Sequence, residues 1–426
     1  MGAHIWGFIV TAFFSQTNEQ EILLHIGPHK TGTTGLQQAA LRAQTALEQQ
    51  GRIYLHDEGR EQLNTSAIKF LRTSGDRHFL GSENSLAHTS LYRILKSAKR
   101  GKLILSSEHF CRYQDVQIHD LRMLLEEIYP GVNIKVLITL RPLAKIIPGE
   151  WQQLVRAQIM PSLDEWVQLV LREQPTEAHG RTFRQRHSHD QLVLRWAAEF
   201  GKENLSVIIA DDKNPEFLFR AFEQLIGVWE GTLVMRRLAN ESLTLQEAEA
   251  VRAAHDAMHR VGMFGNRETP EFNSSTLEPT KLLHHDDRAQ VGWSYDRIVQ
   301  SLVSSRAYRE GEKVVLRGEA QRKVAAWSHA IVEGIKASGV HVIGNIEDLI
   351  SKPQADEPDA PRPEAIMITP RLAGELVTSA LQAVGVGGAQ VDARVLRKIS
   401  TSKLVRLLVK RALPHWIRAR VADRPR

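Results

Sequence analysis

The chain has a single cysteine, Cys111, in 426 residues, which excludes an internal disulfide and any metal centre built from several thiolates. A chain so poor in cysteine suits a reducing compartment, and a cytoplasmic location is expected. It also lacks a long hydrophobic run. The apolar stretch Ile5–Phe14 falls short of the roughly 20 residues that a membrane span needs. It has neither the basic flank nor the small-residue cleavage site of a secretory signal, so residues 1–20 read as an N-terminal extension. Met1-Gly2 opens like a myristoylation site, but Trp6 stands where that signal has Ser or Thr. No internal repeat is present. The body of the chain has no excess of one charge. Of a net +6, the segment Val391–Arg426 alone supplies +9, from eleven Lys and Arg against Asp392 and Asp423. The other 390 residues are therefore slightly acidic, at −3. A basic footprint for duplex nucleic acid is missing, and no nucleic-acid partner is expected.

What is present is an alternation of apolar strands and amphipathic helices. Glu21–Ile26, Arg52–Leu55, Lys102–Leu105, Asn133–Leu140 and Asn204–Ile209 read as strands. Between them lie helical patterns at 32–50, Leu121–Tyr129, a segment after Arg141-Pro142 interrupted by Pro148-Gly149, and Gln191–Phe200. That order predicts an α/β protein with a parallel central sheet flanked by helices. Asn133–Leu140 is almost wholly apolar, so a central position covered on both faces is expected. Ser242–Arg260 is a charged amphipathic helix with a Thr-x-x-Glu capping box at Thr244. Gly265–Ala307 has little regular pattern and reads as loops. A helix over Gly318–Ala337 leads to an edge strand in Gly339–Gly344. The α/β domain is expected to span 21–350, followed by a Pro-rich linker at 351–371 and a basic helical tail at 372–426, with helices over Leu372–Val384 and Leu396–Arg420.

The motif that carries chemistry is His25-Ile26-Gly27-Pro28-His29-Lys30-Thr31-Gly32-Thr33-Thr34, between the first strand and the first long helix. A helix N-terminus presents unpaired amides and the positive end of its dipole, so it suits an anion. Gly27 and Gly32 permit close backbone approach, Lys30 adds a charge, and the hydroxyls of Thr33 and Thr34 add donors. In an ATP or GTP loop the lysine follows the last glycine directly. Here it precedes that glycine by two residues. A plain glycine turn between strand and helix would not require Lys30 or two threonines.

This register resembles the phosphosulfate loop of the bacterial sulfotransferase-like proteins that use 3′-phosphoadenosine-5′-phosphosulfate (PAPS), in which Lys-Ser/Thr-Gly-Thr-Thr is commonly preceded by His-Ile-Gly. Leu36-Gln37, Leu194-Arg195-Trp196, Asn240-Glu241-Ser242-Leu243 and Gly339–Leu349 are similar to further segments of that family. The resemblance implies a P-loop sulfotransferase type of fold. It implies PAPS as co-substrate with adenosine 3′,5′-bisphosphate as product, no metal, and an acceptor hydroxyl to be sulfated, a glycan being the first choice. It assigns the 5′-phosphosulfate to the loop Gly27–Thr34 and leaving-group stabilisation to Lys30. The 3′-phosphate goes to Arg141, which directly follows Asn133–Leu140, where a guanidinium can bind phosphate through two donors. The plain structural reading of Arg141 is a salt-bridged rim residue. The family's Ser eight residues on is Gly149 here, which removes a hydroxyl contact. Ser106, Ser107 and Arg156 are candidate substitutes. The family's base is a Glu or His on a loop after a central strand. Glu108 is favoured and His109 is the fallback, against a reading in which Glu108 merely caps a helix. The family's late donor-binding pattern is absent, and Arg267 matches it poorly.

Competing classes are a non-catalytic nucleotide-binding relative, kept open by Gly149, and a P-loop kinase, whose lysine register is missing. Arg186-His187-Ser188-His189-Asp190 has the wrong spacing for a helical metal site and reads as an exposed helix start. Trp151, Trp166, Trp196, Trp229 and Trp327 read as core. The basic tail, with Leu396, Ile399, Leu404, Leu407, Leu408 and Trp416 among its cations, suits either a packed helix or peripheral contact with an anionic membrane.

Overall fold

The computed structural model describes residues 20–57, 63–74, 90–157, 161–176, 178–235, 242–260, 299–304, 311–350 and 366–383. Their contacts group them into two units. One is drawn from Met1–Ile146, Arg181–Arg237 and Gln321–Asp356, the other from Ile147–Gly180, Leu238–Ala320 and Glu357–Arg426. The span 21–350 therefore contributes to both.

The first unit holds one six-stranded sheet built from β1 (Glu21–Ile26), β2 (Arg52–Tyr54), β3 (Lys102–Ser107), β4 (Asn133–Leu140), β5 (Leu205–Ile209) and β6 (His341–Ile343). The order is β2-β3-β1-β4-β5-β6 and every pairing is parallel. This is the expected α/β architecture, a parallel sheet flanked by helices. Every residue of β1, β3 and β5 is buried, which is why these strands read as continuous apolar runs rather than alternating ones. On one face, Leu23, Ile104, Leu137 and Ile208 pack with Leu36, Ala39 and Ala40 of helix Thr33–Arg42 and with Leu218, Phe222 and Leu225 of helix Glu216–Ile226. Each fully buried Leu, Ile or Phe there contributes about 1.5–3 kcal/mol of transfer free energy.

Local departures from the sequence reading have local causes. The helix expected over 32–50 is two helices, Thr33–Arg42 and Gln44–Gln49, separated at Ala43 (φ −88°, ψ 9°). β3 runs two residues further than Lys102–Leu105, because Ser106 and Ser107 pair with His25 and Ile26. Helix Asp115–Ile128 begins earlier than expected, with Gln114 and Gln117 closing a capping box at its start. The run Arg186–Asp190 is not an exposed helix start. Helices Ala178–His187 and His189–Phe200 meet at Ser188, and Arg186, His187 and His189 are buried, with the His187 ring 4.5 Å from that of Phe183. Trp151, Trp166 and Trp196 are core, but Trp229 is 78% exposed. β6 is the edge strand, as read.

In the second unit, the capping box at Thr244 is present. The Thr244 amide donates to Glu247 Oε2 at 2.7 Å and the Glu247 amide to Thr244 Oγ1 at 3.2 Å, opening helix Leu245–Arg260. Helix Leu143–Ala157 continues through Pro148 and Gly149 instead of breaking there. The proline only removes one donor from the ladder, and the buried side chains of Ile147 and Trp151 on either side hold the helix together. Residues 299–304 are helical within the stretch read as loop. Helix Pro370–Ala383 corresponds to the first terminal helix. The extension at 1–19, most of the linker, Arg267, Asn240, Glu241 and the tail helix Leu396–Arg420 lie outside the described residues. Among the described residues, no helix is long and apolar enough to cross a membrane.

Candidate functional site

β1 pairs with β3 on one side and β4 on the other. The chain thus leaves the centre of the sheet in both directions, which makes a switch point, and ligands in open α/β sheets bind beyond the carboxyl ends of the strands at such a point. The register aligns Ile26 with Ser107 and with Ile138. Gly27, Glu108 and Thr139 therefore follow at one level. The three segments singled out in the sequence, Gly27–Thr34, Glu108-His109 and Arg141, leave the sheet side by side.

The loop is held from within. Thr31 Oγ1 donates to the Pro28 carbonyl at 2.8 Å and lies 3.1 Å from both Thr33 Oγ1 and Thr139 Oγ1. These three hydroxyls tie the loop to β4. Gly27 packs against them, and a Cβ at this position would sit 2.7 Å from Thr33 Cβ and 2.9 Å from Thr139 Oγ1. Lys30 is held at φ 68° and Gly32 at φ 93°. The left-handed conformation costs a residue with a side chain about 1–2 kcal/mol. Thr31 and Thr33 face inward and Thr34 is exposed. The donors presented outward are chiefly backbone amides. Gly32 caps helix Thr33–Arg42 without a side-chain hydrogen bond, and the first amides of a helix have no intrahelical acceptor.

Arg141 reaches this loop. Its Nη1 donates to the Lys30 carbonyl at 3.2 Å, which offsets the strain at Lys30. Its Nε and Nη2 meet Asp212 Oδ1 at 2.8 and 2.7 Å. Asp212 follows β5, and both partners are about one-third exposed, so the pair itself adds little stability. Two of the five guanidinium hydrogens remain for a ligand.

Glu108 opens the 3₁₀ turn Glu108–Arg112 directly after β3. Its Oε2 lies 3.6 Å from Nδ1 of His29, the loop residue before Lys30. The His29 ring also makes an edge contact with that of His109, centroids 6.0 Å apart. Burial, together with the charges of Arg112 and Arg186, pushes the His109 pKa down to about 3. The turn is capped by Ser107, whose Oγ accepts from the His109 amide at 3.2 Å and donates to Asn64 Oδ1 at 2.7 Å. Ser106 Oγ is engaged by His25 Nδ1 at 2.7 Å and Gln37 Nε2 at 3.2 Å. Both serines are committed inside the sheet, which corrects their reading as substitutes for the missing phosphate-binding hydroxyl. Gly149 and Arg156 lie in helix Leu143–Ala157, in the portion assigned to the second unit. Among the described residues, no group of three His, Cys, Asp or Glu is placed to hold a metal ion.

Two site residues escaped the sequence reading, His29 and Asp212. A histidine inside the loop was a visible signal. Asp212 required the strand order, which puts β5 beside β4.

No family model matches the chain, and no curated protein matches it. Among solved structures, a sulfotransferase from Alicyclobacillus acidocaldarius aligns with 60% of this chain and 98% of its own, at 18% identity and a TM-score of 0.33. A likeness that distant does not assign the chain to a family.

Proposed function

We propose that the chain transfers a sulfuryl group from PAPS to an acceptor hydroxyl, with a glycan as the preferred acceptor class. The observation that carries this reading is the 3.6 Å approach of Glu108 to His29, which sets a carboxylate beside the anion-binding loop at the strand switch point. The residues fit the donor. The outward amides at the start of helix Thr33–Arg42 and the Lys30 ammonium suit a 5′-phosphosulfate. The remaining hydrogens of Arg141 suit the 3′-phosphate.

The bound phosphosulfate supplies an activated sulfuryl group. The protein's share, as in phosphoryl transfer, is alignment, charge and one proton acceptor. Lys30 balances the charge that develops on the departing phosphate. Arg141 holds the Lys30 carbonyl and so fixes the loop. Glu108 accepts the proton of the acceptor hydroxyl, and His29 orients it. His109, with its pKa near 3, is a weak proton acceptor at neutral pH. For the basic tail we propose peripheral contact with an anionic membrane, checked by flotation of the full chain with anionic vesicles.

The test is release of adenosine 3′,5′-bisphosphate from PAPS in the presence of a panel of glycans. Acceptor-dependent release by the wild type, absent in Lys30→Ala, is expected. Equal release without acceptor, or none from any acceptor class, would overturn the reading.

A further inference from the structure

Gln37, one turn into helix Thr33–Arg42, is fully buried, and the proposed mechanism gives it no part. The helix also packs on the sheet through Leu36, Ala39 and Ala40, apolar contacts that have no preferred direction. An amide buried among them is desolvated, where leucine or methionine would not be penalised. One hydrogen bond offsets this only in part. Gln37 Nε2 donates to Ser106 Oγ at 3.2 Å, and among the described residues its Oε1 meets no donor. A buried polar group left half-satisfied calls for a role beyond packing.

The partners of this bond give that role a direction. Ser106 lies in β3, opposite His25 of β1, whose Nδ1 is 2.7 Å from the same hydroxyl oxygen. Glu108 follows Ser106 by two residues. Thr33 stands four residues before Gln37 and so on the same face of the helix. Its Oγ1 is 3.1 Å from Thr31 Oγ1, which is 3.1 Å from Thr139 Oγ1 of β4. β3 and β4 flank β1. The start of the helix is therefore tied on one side to the strand that leads to Arg141, and on the other to the strand that leads to Glu108.

We infer that Gln37 is a positioning residue: through Ser106 it fixes the helix N-terminus, and with it the sulfuryl group, at a set distance from Glu108. The threonine network already fastens the loop to β4, so donor binding does not need Gln37. The spacing of donor and base does, because only a directional bond resists sliding of the helix along β3. A misplacement of about 1 Å at the reacting atoms can lower a rate on the order of 10²-fold. The role rests on the sulfotransfer reading, whereas the tether between helix and strand does not.

The test separates the two. Gln37→Met keeps the volume and the helix propensity while removing both the donor and the unmet acceptor, so its melting temperature should stay close to wild type. With PAPS and a panel of glycans, its kcat should fall about 10- to 100-fold, and its Kd for adenosine 3′,5′-bisphosphate should stay within about twofold of wild type. Added to Glu108→Gln, the substitution should lower kcat no further, because the base whose alignment it serves is gone. Wild-type kcat in Gln37→Met, an equal loss of bisphosphate affinity, or a further fall on top of Glu108→Gln would each overturn the role. The tether is read without turnover. In NMR spectra of the wild type, the Gln37 side-chain amide should exchange with solvent far more slowly than surface glutamines and should shift in Ser106→Ala. Exchange as fast as at the surface would overturn the tether. A wild type that releases no bisphosphate from PAPS with any acceptor would sink the sulfotransfer reading and the role together, and slow exchange would then leave the tether alone.

Discussion

His29 Nδ1 and Glu108 Oε2 approach to 3.6 Å from two different strand ends, although 79 positions separate them in the chain. In the proposed mechanism the two residues have distinct roles. Glu108→Gln should keep affinity for adenosine 3′,5′-bisphosphate and lower kcat by about 10²–10⁴. His29→Ala should lower kcat less and shift the pH–rate profile, because the carboxylate survives without its neighbour. Steady-state kinetics across pH separate the two. An active Glu108→Gln beside an inactive His109→Ala would move the base by one residue.

Lys30 is the one cation placed within the loop itself. Lys30→Ala should cost on the order of 10²-fold or more in kcat, with a melting temperature close to wild type. The substitution also relieves little backbone strain, since alanine is equally disfavoured at φ 68°. Near-complete activity in this variant would contradict the role given to the lysine.

Gly27 is required by contact rather than by backbone angle. An added methyl would meet Thr33 and Thr139, the residues that fasten the loop to β4. Gly27→Ala should therefore lose donor binding altogether, while far-ultraviolet circular dichroism stays native-like. Wild-type affinity in this variant would mean that the loop is looser than its three-hydroxyl network implies.

Three buried histidines predict acid sensitivity. Burial pushes His25 and His109 down to about 3 and His189 well below its ordinary value. Their folded pKa values lie below the unfolded value near 6.5, so the unfolded chain binds more protons in the interval between. Stability from this source is complete above about pH 6.5 and, for His25 and His109, is lost as pH falls toward 3, on the order of 1 kcal/mol per pH unit each, with His189 acting in the same direction. Urea unfolding at pH 7.5, 6.0 and 5.0 checks this. A flat midpoint across that range would show that the histidines are not buried in the neutral form.

The sheet was legible because its inner strands β1, β3, β4 and β5 are largely buried on both faces and so appear as mostly apolar runs, Asn133–Leu140 most clearly. The loop was legible because its glycines, lysine and threonines are consecutive in the chain, so the motif needs no distant contact to be seen. What the sequence concealed depends on contacts distant in the chain. Whether Thr33 points outward or into the Thr31–Thr139 network follows from β4 lying beside β1. Likewise, the burial of Arg186, His187 and His189 follows from two helices meeting at Ser188, which polar composition disguises. Asp212 becomes a partner of Arg141 only once β5 is placed next to β4.

The central claim is that the loop is built for PAPS rather than for a nucleoside triphosphate. Isothermal titration of the full chain with adenosine 3′,5′-bisphosphate, and separately with ATP–Mg²⁺, tests it without knowledge of the acceptor. The account predicts saturable binding of the bisphosphate, weakened about tenfold or more by Arg141→Ala, and little or no binding of ATP–Mg²⁺. Tight binding of ATP–Mg²⁺ with none of the bisphosphate would contradict it.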